Sequence, residues 1–189
     1  MSSTDWRWKI GEAVERIRSR YDYIGRKTGA PFLAIIYPPG AEAAVFHEWH
    51  TQIESLRPDY DVRTLDVLQI TQGIIGDIGV ENIVESLKDP MPGSDPTTDL
   101  GSMWVEQIAQ AVRDAFAQPG EGRPVVCLER LAALYPPTTP RGVMQQLWDS
   151  AQSELDGPVV ILIPGTLDDS RTYRFVDKVN EFMYRGDLL

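Results

Sequence analysis

FLAIIYPPG (residues 32–40) goes from an unbroken apolar run straight into proline, and the same exit recurs in VVCLERLAALYPP (residues 125–137) and VVILIPG (residues 159–165). Proline has no amide hydrogen to give a sheet and restricts the residue before it, so each one marks where a buried strand must leave its sheet. Strands that are apolar on both faces belong to parallel sheets covered by helices, and helical patterns lie between these three runs. The expected fold is therefore α/β: a three-layer domain with a mostly parallel sheet of about four or five strands and helices on both faces. In open sheets of this kind ligands and partners gather along the carboxyl edge, where all three proline turns should fall.

Outward from these strands, Ile10, Val14, Ile17, Tyr21 and Ile24 recur at helical spacing and predict an N-terminal helix ending near Gly25 and Gly29. Phe46, Trp49, Ile53 and Leu56 predict a second helix, stopped at Arg57-Pro58. Residues 61–68 (DVRTLDVL) fit a less buried second strand. Residues 88–102 (KDPMPGSDPTTDLGS), with three prolines and two glycines, predict a long surface loop rather than a domain boundary, after which Thr98 or Asp99 caps a helix carrying Trp104, Ile108, Ala115 and Phe116. Thr139-Pro140 predicts a capped helix with Val143, Leu147, Ala151 and Leu155 on its buried face. Beyond Pro164-Gly165, Asp168, Asp169 or Ser170 should cap a final helix holding Tyr173, Val176, Val179 and Met183. The expected order is α, β, α, β, α, α, β, α, β, α.

The chain has 189 residues, enough for one domain with a substantial core, and 42% of them are hydrophobic. Its net charge of −10, from 28 acidic against 18 basic residues, disfavours direct binding to a nucleic-acid backbone. The single cysteine, Cys127, excludes an internal disulfide and fits a reducing, cytoplasmic setting. No stretch approaches the roughly 20 apolar residues of a membrane span, and the N-terminus lacks the apolar centre of a secretion signal.

The outline invites comparison with P-loop nucleotide hydrolases, yet no G-x-x-x-x-G-K-[ST] occurs. Gly25-Arg26-Lys27-Thr28-Gly29 precedes the first strand, and the position where a phosphate loop belongs holds Pro38-Pro39-Gly40, which removes amide donors. Glu129 ends a strand as the acidic residue of such enzymes does, but without a lysine partner a structural carboxylate paired with Arg130 or another base is the simpler reading. Gly73, Gly76 and Gly79 could form a cradle or a helix crossing, and their spacing is not G-x-G-x-x-G. His47 and His50 stand three apart in HEWH, one short of the zinc-protease pattern, and Cys127 reads as a core thiol. No G-x-S-x-G elbow is present. No catalytic residue, metal site or cofactor is therefore expected. The C-terminal segment is aromatic and basic in an acidic chain, and Arg171, Phe182, Tyr184 and Arg185 are residue types favoured at protein interfaces.

The last strand and its exit, VVILIPGTLD (residues 159–168), and the ending FMYRGDLL (residues 182–189) resemble the C-terminal signature of BrxB proteins, small components of BREX bacteriophage-exclusion systems. The resemblance is most distinctive in the C-terminal third and marks Pro164, Gly165, Thr166, Tyr184 and Arg185. It implies a bacterial cytoplasmic protein of antiviral defense, acting in a phage-resistance complex with a methyltransferase, a large ATPase and the phosphatase-like PglZ protein. BrxB itself is not an established enzyme.

The leading expectation is a noncatalytic scaffold or adaptor of a BREX-type complex that binds a PglZ-like phosphatase or other components. Tyr37, Pro39, Tyr135, Pro164, Gly165 and Thr166 at the carboxyl edge, with Arg171, Phe182, Tyr184 and Arg185, form the candidate protein-binding set, because rigid proline turns lose little ordering entropy on binding. A homodimer is compatible with the sequence. The rival expectation is a nucleotide-binding or hydrolytic α/β enzyme with an atypical site near Glu129 and residues 73–79. A DNA-contacting accessory ranks last because of the acidic balance.

Overall fold

The computed structural model describes residues 5–189 and places five strands side by side in the order β2 (Tyr60–Asp66), β3 (Arg123–Glu129), β4 (Val159–Leu167), β1 (Phe32–Tyr37) and β7 (Asp187–Leu188). All four neighbouring pairs are parallel, with Tyr37 opposite Pro164 and Asp66 opposite Glu129. Two further strands, β5 (Thr172–Phe175) and β6 (Val179–Phe182), extend the end of β4 as an antiparallel arm, so the whole sheet is mixed. Helices α1 (Asp5–Arg20), α2 (Glu42–Ile53), α3 (Val67–Ile78), α4 (Val80–Lys88), α5 (Pro96–Ala117) and α6 (Pro140–Ala151) complete the chain. No helix among the described residues is long and apolar enough to cross a membrane.

Alternation along the strands builds two cores. Phe32, Ala34 and Ile36 of β1 face Ile108 and Val112 of α5 and Val143 and Leu147 of α6. Leu33, Ile35 and Tyr37 face Ile10 and Ile17 of α1 and Val45 and Trp49 of α2. Because β1 and the first seven residues of β4 are buried on both faces, they read as continuous apolar runs, and each of their Val, Leu, Ile and Phe side chains contributes roughly 1.5–3 kcal/mol on burial. The edge strand β2 is only half-buried, as its looser pattern predicted. Gly25 opens the short turn between α1 and β1 with φ +64, where a Cβ would run into the Ala30 carbonyl.

Three expectations need correction, and the open choice for Gly73 and Gly76 falls to the helix. The loop expected over residues 88–102 is confined to residues 89–95: Asp95 caps α5 by accepting hydrogen bonds from the Thr98 amide (3.2 Å) and hydroxyl (2.7 Å), and Pro96 takes the first helical position, where its missing N–H costs nothing. Gly73 and Gly76 lie inside α3, so their amides belong to the helix and form no phosphate cradle. Thr139 stands at the cap of α6 without a capping bond; the amide of Arg141 donates instead to Glu181 Oε2 at 3.2 Å. The final helix is a β-hairpin. Tyr173 and Phe175, two residues apart, both enter the core while Arg174 points out, and Val176 and Asp177 turn the chain in the left-handed region. Asp169 Oδ1 caps no helix; it accepts from the amides of Arg171 and Thr172, both at 2.8 Å, and tightens the turn into β5.

Pro164 does mark a departure, though not the end of a strand. Up to Pro164 the strand pairs with β1, and from Gly165 it pairs with β5, so the residue without an amide sits where β4 changes partner. Gly165 is required there because a Cβ would run into the Arg174 carbonyl of the arm.

Candidate functional site

The carboxyl edge is the first place the fold puts polar side chains together. Tyr37 is fully buried and donates to Glu42 Oε2 at 2.9 Å; burial, then the neighbouring Glu42, pushes its hydroxyl well above the usual tyrosine range. Pro39 is exposed and begins the short turn into α2. Tyr135 is 40% exposed beyond β3, with Lys178 of the hairpin turn 5.7 Å from its ring centre. Pro164 and Gly165 are buried, and exposed Thr166 donates to Asp177 Oδ1 at 2.6 Å, tying β4 to the hairpin turn. Tyr37, Pro164 and Gly165 therefore belong to the interior and do not offer the contact surface expected of them.

Glu129 ends β3 with its side chain 8% exposed and its Oε1 2.6 Å from Nε2 of His50, which α2 presents from the other side at 51% exposure. Burial raises the Glu129 carboxyl above its ordinary 4.5, while His50 pulls the other way. Of the two partners expected for Glu129, Arg130 or another base, the structure supplies the other base, His50; Arg130 lies 3.5 Å from Asp66, and its backbone is left-handed at φ 59. A cleft of about 340 Å³ lies between Glu42, Phe46, Leu68 and Arg130, and neither His50 nor Glu129 lines it. A buried carboxyl bonded to an imidazole can hold or move a proton. Among the described residues no three metal-ligating side chains converge, and His47 points to solvent. Cys127 is fully buried, and burial raises its thiol well above the usual range, so it is inert as a nucleophile.

The other grouping is on the arm. The inner face of the hairpin is core: Tyr173 donates to Glu181 Oε2 at 2.8 Å, and the same carboxylate receives the α6 amide, placing negative charge at that helix N-terminus. The outer face continues from β6 as alternating residues, with Met183 buried and Phe182 and Tyr184 exposed by 42% and 62%. Their rings meet edge to face at 4.7 Å. Arg141 of α6 lies 4.9 Å from the Tyr184 ring centre, and Arg185 lies 4.6 Å from that of Trp148. Neither guanidinium makes an ion pair among the described residues. Arg171 is half-buried beneath, and its Nη1 donates to the Gly186 carbonyl at 2.9 Å, holding the segment after β6 in place.

Phe182, Tyr184 and Arg185 are thus brought into one surface, with Arg171 bracing it. Arg141 and Trp148 complete that surface and were not foreseen. Their signal was the spacing Arg141, Gln145, Trp148, a helix face opposite the buried stripe of Val143 and Leu147. Comparison of the chain with protein-family models, with curated proteins and with solved structures finds no match.

Proposed function

We propose that this chain is a noncatalytic adaptor that grips a partner protein through the outer face of its arm, Arg141, Trp148, Phe182, Tyr184 and Arg185. The observation that carries the reading is the pair of guanidiniums stacked on the Tyr184 and Trp148 rings without an ion pair among the described residues, beside the exposed ring of Phe182. Tyr, Trp and Arg dominate binding energetics at interfaces, and these side chains are held in place before contact, which lowers the ordering cost. The resemblance of residues 159–168 and 182–189 to BrxB proteins supports a cytoplasmic BREX-type antiphage complex as the setting and a PglZ-like phosphatase as the partner. A nucleotide-hydrolase-like, three-layer outline without a phosphate loop serves as the rigid support for this surface.

Replacing Tyr184 and Arg185 together by Ala should reduce copurification with a PglZ-like partner by at least about tenfold, since truncating one such contact costs about 2 kcal/mol or more. Undiminished copurification would remove this surface from the account. A second reading, a nucleotide-binding or hydrolytic enzyme, is favoured by the buried Glu129 carboxyl held against His50 at the carboxyl edge. A thermal-shift screen with nucleotides and divalent cations separates the two, because a specific ligand at 100 times its dissociation constant adds about 2.7 kcal/mol of stability.

A further inference from the structure

Of the ten large hydrophobic side chains exposed among the described residues, five lie between Val80 and Met103. In α4, Val80, Val84 and Leu87 recur at i, i+4 and i+7 and are 61%, 40% and 49% exposed, and no residue of this helix is buried. Only Ile83 turns toward the body, half-buried. Met91 and Met103, 76% and 43% exposed, line a cleft of about 230 Å³ between α4 and α5, which Ile83 of α4 also borders. A helix that leaves its apolar stripe to water gains little from folding against its own domain, so the stripe points to something that covers it.

Charge decides what that is. Residues 77–103 hold six carboxylates, Asp77, Glu81, Glu85, Asp89, Asp95 and Asp99, against one cation, Lys88. None of the six makes an ion pair among the described residues. A second copy docked here by two-fold symmetry would set six carboxylates against six, which like-charge repulsion opposes. An anionic membrane or nucleic acid is repelled for the same reason. We infer that the α4 face is a second docking surface, distinct from the arm, for a basic amphipathic helix of another protein, whose apolar side chains cover Val84, Leu87 and Met91 and whose Lys and Arg meet the acidic rim.

The probe is a fluorescein-labelled peptide of about 18 residues, five turns of helix, with Leu along one face and Lys on the other. Control peptides carry Glu in place of Lys, or the same residues in an order without a helical face. Anisotropy titrations should show the Leu/Lys helix binding the wild-type chain and the controls binding at least about tenfold more weakly. Val84→Ser with Leu87→Ser, and separately Glu81→Gln with Glu85→Gln, should each weaken it by a similar factor. Tyr184→Ala with Arg185→Ala should leave it unchanged, so failure here and failure of the arm surface are told apart. Equal affinity for the Ser variant, or for the Glu peptide, overturns the proposal. A wild-type dimer in sedimentation that the Ser variant dissolves overturns it also, by making a second copy the occupant.

Discussion

The carboxyl edge of the parallel strands and the outer face of the C-terminal arm differ in what their polar groups do. At the edge, Tyr37 is satisfied by Glu42, Glu129 by His50 and Asp66 by Arg130, and the hairpin turn closes over Thr166. On the arm, the inner polar groups are satisfied in the same way, Glu181 by Tyr173 and the Arg141 amide, but the guanidiniums of Arg141 and Arg185 stack on rings and make no ion pair among the described residues. The edge is where an open sheet usually binds, yet here β4 runs on past it and the arm covers its exit. The exposed rings and guanidiniums lie instead on that arm and on the neighbouring α6.

The comparison breaks if the arm is not part of the core. Phe175→Ala should cost about 3–5 kcal/mol in urea unfolding, as for an aromatic in a packed interior, whereas a loose arm would show almost no change. Gly165→Ala should cost about 1–3 kcal/mol by forcing the added methyl against the Arg174 carbonyl. Tyr173→Phe leaves the Glu181 carboxylate short of a donor and should cost about 1–3 kcal/mol, a loss that Thr166→Ala, at an exposed contact, should not match.

The edge makes a subtler prediction through pH. The folded state holds the Glu129 carboxyl above 4.5, so the native chain favours its protonated form, and that contribution is present at low pH and lost as pH rises through the folded value. Glu129→Gln should therefore gain stability relative to wild type as pH is raised from below 4.5 toward neutrality, read from melting temperatures across the range. A constant difference at every pH would show that His50 fully compensates the buried charge.

Four of the five side-by-side strands were legible, and the short β7 and the arm were not, for a physical reason. The central stretches of β1, β3 and β4 are buried on both faces, so they are apolar apart from Glu129 and each run announced itself. The arm has one buried face, and its period of two was present in Tyr173, Phe175 and again in Glu181, Met183. Val176 and Val179, which flank the turn, fall at helical distance from Tyr173 and Met183 and hid that period. The Phe182, Tyr184 and Arg185 half of the surface was readable from residue type, while Arg141 and Trp148 lie about 40 residues earlier and meet it only in three dimensions.

Amide hydrogen exchange, followed on the chain alone and in complex with the partner it copurifies with, compares the two regions in one experiment. The account predicts that added protection gathers in residues 141–148 and 182–186. Protection gathered instead in residues 37–42 and 129–135, with the arm unchanged, would contradict it and return the function to the carboxyl edge.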